Sequence, residues 1–168
     1  GYILVKFNLI EQIRNLKVIG WTTLIFGLLL FLSDKCRTDN NIDNNFSFKK
    51  AVIIGFYQIL SLVPGVSRSG ITITGARFLK FNRYDSAKIS FLLSIPTLAA
   101  VSIFGINNLI VSKSTEFSIS IIMSTVFSFF VSLLTIKYFL KYLKSFNLNI
   151  FVFYRVILGI GLLSLAYL

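Results

Sequence analysis

What most limits the fold of this chain is a set of apolar runs long enough to cross a bilayer, at residues 18–32, 89–111, 117–136 and 148–168. A spanning helix needs about 20 apolar residues to cross about 30 Å of hydrocarbon. The first run is short, so Leu16 and its neighbours extend that span to about 16–33. Trp21 lies near its end, where an interfacial anchor belongs. Residues 1–17 mix apolar side chains with Lys6, Glu11, Arg14 and Lys17, as in an interfacial helix or the end of an earlier span. Residues 33–50 are polar and rich in Asn and Asp, which reads as a loop. The whole is 55% hydrophobic and 14% charged, with mean hydropathy +0.81. Soluble domains are about 45–50% apolar. The expected fold is an all-α, polytopic integral membrane protein, a single membrane domain over 1–168.

A net charge of +11 raises the question of nucleic acid. The 17 basic residues fall mostly between the apolar runs, as loop charge does in membrane proteins. No basic face interleaved with aromatics appears, so nucleic acid is set aside as a partner and the lipid bilayer takes its place. Cys36 is the sole cysteine, which excludes an internal disulfide and a thiolate metal site. Histidine is absent, which removes the usual near-neutral proton carrier.

Residues 51–79 behave differently. An apolar stretch to Val63 is broken by Pro64-Gly65 and resumes at Gly70. Proline lacks a donor N–H and glycine is permissive, so one continuous helix is disfavoured. Neither half spans alone. They form either one broken crossing helix or a hairpin that dips in and returns. Loop charge favours the return. Only then do Lys35, Arg37, Lys49 and Lys50 share a side with Arg77, Lys80, Arg83 and Lys88, and with Lys137, Lys141 and Lys144. The loop 112–116, with one Lys and one Glu, then stands alone opposite. Lys6, Arg14 and Lys17 run against this pattern.

Non-helical backbone at membrane depth is tolerated only inside protein or along a wet cavity, so residues 64–74 should face a pocket. The second half-helix should begin near Ser69-Gly70 and aim its free N–H groups at the tip, a ready anion site. Arg68 adds a planar fork suited to phosphate oxygens. Ser67, Ser69 and Thr72 add hydroxyls, and Gly65 and Gly70 admit a ligand close to the backbone. An arginine can instead serve the fold alone by pairing with a carboxylate. The six acids, Glu11, Asp34, Asp39, Asp43, Asp85 and Glu116, lie in loops or near span ends. None is placed to neutralise Arg68, whose counter-ion is then a ligand or lies outside this chain.

The stretch "PGVSRSGITIT" resembles the second signature of the bacterial undecaprenyl-diphosphate phosphatase family, the bacitracin-resistance type. Its pattern, Pro-Gly-x-Ser-Arg-Ser-x-x-Thr, is met at Pro64, Gly65, Ser67, Arg68, Ser69 and Thr72. The resemblance extends through "GFYQILSLV", "NRYDSAKISFLLSIPTLAA" and "FYRVILG". It implies two inverted repeats, each with a re-entrant hairpin, whose tips meet at one active site in the bacterial inner membrane. Here Arg68, Ser67 and Ser69 would be the catalytic residues. Gly65, Gly70, Thr72 and Gln58 would bind the substrate phosphates, with Gln58 at the place of a first-repeat glutamate. The implied reaction hydrolyses undecaprenyl diphosphate to undecaprenyl phosphate and inorganic phosphate, recycling the carrier for peptidoglycan synthesis. It implies Mg²⁺ or Ca²⁺, with no metal ligand in this chain. The first signature of the family, with paired glutamates, serines and a histidine, has no counterpart here. The chain is therefore expected to be the C-terminal part of a longer enzyme and to have little activity alone. Assembly as a homodimer is left open.

Two readings stand against this one. Re-entrant broken helices also build transport sites, so a transporter or channel half with an anion-binding loop is one. An inactive remnant of the phosphatase is the other. Elsewhere, Ser120, Ser124, Ser128 and Ser132 form one helical face, expected to pack closely against another helix. Ser86, Ser90 and Ser94 lead in the same way to Pro96, which should kink its helix. Arg155, inside a span, is expected to pair with lipid phosphate or a carboxylate, or to touch substrate. Lys137, Lys141 and Lys144 should meet anionic head groups.

Overall fold

The structure, a computed structural model, describes residues 15–111 and 119–168, without the side chains of 107–111 and 120. Lys6, Glu11 and Arg14, the loop 112–116 and the start of the third expected span lie outside the described residues. Among the described residues the helices are, in order, α1 (Leu16–Asp34), α2 (Ile42–Asn45), α3 (Phe48–Ile59), α4 (Arg68–Phe78), α5 (Arg83–Val111), α6 (Ile119–Ser145) and α7 (Asn149–Tyr167). A 3₁₀ turn at Leu60–Leu62 ends α3. The described residues hold no β-strand, only an isolated bridge between Asn40 and Phe81. Among the described residues four helices are long and apolar enough to cross a membrane, at Leu16–Asp34, Arg83–Ile106, Ile121–Ser145 and Asn149–Tyr167. Their outer faces carry large exposed apolar side chains such as Leu28, Ile95, Phe127, Phe130 and Ile160. Water would not tolerate so much apolar surface, and lipid favours it. The protein is an all-α, multi-pass membrane protein.

Local signals set the helix ends. Asn15 caps α1, its side chain accepting from the Lys17 amide at 3.1 Å. Asn82 accepts from the Asp85 amide at 2.8 Å, so α5 starts at Arg83 rather than at the apolar run beginning at 89. Pro96 lies within α5. At its other end α6 runs on to Ser145, carrying Lys137, Lys141 and Lys144 on helix rather than loop.

Helices α1 and α7 pair antiparallel through small residues. The buried positions of α1 include Gly20, Thr23 and Gly27, a stripe that lets another backbone approach. Gly159 answers from α7, where an added Cβ would come within 2.6 Å of Leu24 Cγ. The serines of α6 do not pack in this way. Ser124, Ser128 and Ser132 are exposed, so the expectation of a closely packed serine face is corrected. That face is flanked by bulky apolar residues that suit lipid. Ser86 and Ser90 of α5 are buried as expected, and Ser90 meets Thr72 at 2.6 Å.

Helices α3 and α4, 12 and 11 residues long, each rise less than about 20 Å and cannot span singly. They fold back on each other. Tyr57 of α3 lies against Gly75 and Phe78 of α4. Lys50, near the start of α3, sits 5.1 Å over the ring of Phe81, beyond the end of α4. Residues 71–77 are buried without a break, so α4 is enclosed on all sides, by α1, α3 and α5. The loops that begin and end the hairpin meet. The Asn40 amide donates to the Lys80 carbonyl at 3.1 Å, and Asn82 Nδ2 donates to Asn41 at 3.0 Å.

Asp34 fastens this end. Its carboxylate accepts from Arg83 Nε at 2.7 Å and Nη2 at 3.0 Å, and from the Leu148 amide at 3.3 Å. Arg77 lies beside it, Nε to Oδ1 3.6 Å, and donates to the carbonyls of Asp34, Cys36 and Phe81. The sequence suggests a loop charge at Arg77. Instead it is 1% exposed and ties the end of α4 to the end of α1.

Two outcomes follow. Cysteines at Asn44 and Asn82, with Cys36 replaced, should label from the same side of the membrane. Labelling from opposite sides contradicts the return. Asp34→Ala leaves Arg77 buried without its carboxylate and should cost about 3–5 kcal/mol, read as a lower unfolding midpoint in detergent.

Candidate functional site

The hairpin tip is the non-helical stretch between the 3₁₀ turn and α4. Gly65 has φ +87°, a conformation L side chains rarely adopt. A Cβ there would also run into Thr22 Oγ1 and the Ile19 carbonyl. The tip's carbonyls find donors on the neighbouring helices. Thr22 Oγ1 lies 2.7 Å from the Pro64 carbonyl oxygen. Arg155 Nη2 donates to the Gly65 oxygen at 2.9 Å, with Thr23 Oγ1 at 3.4 Å. Thr22 is six residues, about 9 Å of rise, from the start of α1, and twelve, about 18 Å, from Asp34. The tip therefore lies far from the Asp34 end.

Ser67 is the N-cap of α4, accepting from the Gly70 amide at 3.2 Å. The helix thus begins at Arg68, within two residues of expectation. The amides of Arg68 and Ser69 have no partner among the described residues and carry the positive end of the helix dipole. Ser67 Oγ and Ser69 Oγ stand 3.4 Å apart. Gly65, Ser67, Ser69 and Gly70 border a cavity of about 500 Å³. Arg155 reaches into it from α7, and Ile73, Phe151, Leu158 and Leu162 make most of its wall apolar. An added Cβ on Gly70 would come within 2.7 Å of Arg155 Nη1, so glycine makes room for that guanidinium.

The other expected residues are placed differently. Arg68 is partly exposed on the first turn of α4; it is not among the residues that border the cavity, and its guanidinium has no partner among the described residues. Thr72 is 1% exposed, turned to Ser90 and to the Arg68 and Ser69 carbonyls, and does not border the cavity. Gln58 donates to Thr97 Oγ1 at 2.8 Å and does not border it either. Arg155 was expected to pair with a carboxylate or lipid phosphate, but its partner here is the Gly65 carbonyl. The signal that marks it is an arginine in the middle of a span, where charge is functional by default.

Chemically the tip offers hydroxyls, amides and guanidinium, a donor set for an anion. Among the described residues no three His, Cys, Asp or Glu side chains cluster. The tip therefore does not fit a divalent cation.

Comparison with known proteins bears on this geometry. The family described as Bacitracin resistance protein BacA matches residues 1–161. The chain belongs to the BacA family. It is 48% identical over 168 residues to the undecaprenyl-diphosphatase of Pelagibacter ubique (strain HTCC1062), covering 99% of this chain and 65% of that protein. It is 43% identical over 158 residues to the undecaprenyl-diphosphatase of Hahella chejuensis (strain KCTC 2396), covering 94% and 59%. With the undecaprenyl-diphosphatase of Jannaschia sp. (strain CCS1) the identity is 37% over 167 residues, covering 99% and 62%. This BacA-family chain thus spans less than two thirds of the length of each of these relatives.

Gly65→Ala tests the tip itself. It should lower the unfolding midpoint and cost more than about 1 kcal/mol, the scale of a strained backbone residue. Gly161→Ala, at a position with open space, should leave the midpoint nearly unchanged.

Proposed function

We propose that this chain supplies the second tip of an undecaprenyl-diphosphate phosphatase, holding the diphosphate of undecaprenyl diphosphate while it is hydrolysed to undecaprenyl phosphate and inorganic phosphate. The observation that carries this is one helix N-terminus whose two free amides and two serines open on a mostly apolar cavity, with Arg68, which has no partner among the described residues, on the same turn. A phosphate group fits the first part and an isoprenoid chain the second. Three relatives named undecaprenyl-diphosphatase support the reading.

Phosphoryl transfer is mostly positioning and neutralisation of charge. Arg68, free to turn its planar fork, clamps the diphosphate and stabilises charge as it develops. Ser67, Ser69 and the amides of Arg68 and Ser69 orient the remaining oxygens. Gly65 and Gly70 leave space for that approach. Arg155 holds the tip by its carbonyl, so it positions rather than reacts. Thr72 and Gln58 act through the fold, Thr72 by fixing α4 to α5 and Gln58 by fixing α3 to α5. Attack and proton transfer fall to groups outside the described residues. The Mg²⁺ or Ca²⁺ that the resemblance implies would also be held outside them.

The hairpin enters the bilayer from the basic-loop side, in the inner membrane of a bacterium. With basic loops inside, the tip meets its substrate toward the outer face, where used carrier has to be recycled for peptidoglycan synthesis. Resistance to bacitracin is part of the same proposal.

Arg68→Lys and Arg68→Ala, made in the protein as its gene encodes it, test the clamp. Both should lower kcat/KM, alanine by about 10²–10³-fold, which is roughly 3–4 kcal/mol. Phosphate release is normalised to monodisperse protein and read beside a melting curve. Normal specific activity with reduced thermal stability in Arg68→Ala would reject the clamp and leave a bracing role.

A further inference from the structure

The tip and its cavity account for one end of α4. At the other end, about 15 Å away by helix rise, lies a separate hollow of about 470 Å³. Four cationic side chains border it, Arg37, Arg77, Arg83 and Lys144, against a single carboxylate, Asp34. Asp34 is already used by Arg77 and Arg83. Arg77 Nε is buried and has no hydrogen-bond partner. Arg37 and Lys144 are exposed at the rim. Lys144 Nζ stands 4.8 Å over the ring of Tyr84, which fixes it over the hollow rather than away from it. Four cations around one spent acid repel one another unless an anion joins them.

Position says which kind of anion. Asp34 is the last residue of a 19-residue spanning helix, and Lys144 stands next to the last residue of another. The hollow is thus at the level where an apolar span gives way to polar loops, which is where lipid phosphates lie. Tyr84 and the buried Leu143 give it an apolar border as well. Basic pockets between spanning helices on the positively charged side bind anionic head groups.

We propose that this hollow is a binding site for the phosphate head group of an anionic membrane lipid, separate from the tip. The head group bridges Arg37 and Lys144, completes the charge around Arg77 and Arg83, and clasps the start of α5 to the ends of α1 and α6. This holds whether or not the tip acts on a lipid diphosphate.

The test is a melting curve of the full chain in neutral detergent, titrated with dioleoyl phosphatidylglycerol, dioleoyl phosphatidylcholine or inorganic phosphate. The anionic lipid should raise the midpoint saturably and the zwitterionic lipid should not. Arg37→Gln with Lys144→Gln should raise the half-saturating concentration of phosphatidylglycerol about thirtyfold, for two cations lost at a membrane surface. Arg37→Lys with Lys144→Arg keeps the charge and should bind within about threefold of the starting protein. Lys49→Gln with Lys88→Gln removes the same charge elsewhere on the basic side and should change little. Equal responses to the two lipids would overturn the proposal. So would an equal loss in the Lys49 and Lys88 pair, which points to diffuse surface charge. If inorganic phosphate alone reproduces the shift, the lipid assignment is overturned and a free anion takes its place.

Discussion

Everything on the loop side depends on one buried carboxylate. Asp34 ends α1, and within its reach lie the last turn of α4, the first residue of α5 and the amide that opens α7. A carboxylate buried alone would shed its charge or its place. Asp34 keeps its place because a bidentate guanidinium, a second guanidinium and a backbone amide surround it. The pair of arginines in turn is tolerable only because Asp34 stands between them. α4 folds back along α3, and Arg77 at its end is anchored beside the end of α1 through the carbonyls of Asp34, Cys36 and Phe81.

The other end of the hairpin solves a different problem. A helix that stops inside a membrane leaves carbonyls and amides with no water to meet. The carbonyls are met by Thr22, Thr23 and Arg155, from the two helices that pair most closely. The amides of α4 are only partly met, by the Ser67 cap on Gly70. The asymmetry is chemical. Carbonyls repel an anion, so the fold covers them; amides attract one, so the fold leaves Arg68 and Ser69 open. Glycine at 20, 27 and 159 lets α1 and α7 come close enough for one arginine to serve both the helix pair and the tip.

Much of this was legible in the sequence. Hydropathy placed the spanning helices because lipid contact is additive along a run of residues. Pro64-Gly65 placed the break, since proline and glycine act on their own neighbours. Loop charge put 34–50, 77–88 and 137–144 on one side, and the first two of these loops do touch. What stayed hidden depends on partners distant in sequence. Arg77 looks like any loop cation until Asp34, 43 residues away, is beside it. Thr72 reads as a ligand from its place in the signature, but on α4 it turns to Ser90. Arg155 marks itself by its depth, yet nothing local says that its partner is a carbonyl at the tip. The serine stripe of α6 misled because spacing alone does not distinguish a packed face from one turned to lipid.

The two ends of α4 bear on each other. The helix is short, enclosed on all sides by α1, α3 and α5, and held at its C-terminal end by ion pairs. A rigid rod fixed at one end carries its other end to a defined place. Preorganised donors stabilise developing charge without reorganising at the moment of reaction, and a loose tip would forfeit that advantage. The buried ion pairs therefore serve the tip without touching it. By themselves such pairs contribute little net stability, because desolvation offsets their attraction. Their value in this fold is positional: they fix which way α4 points, and so where Ser67, Arg68 and Ser69 stand at its N-terminus.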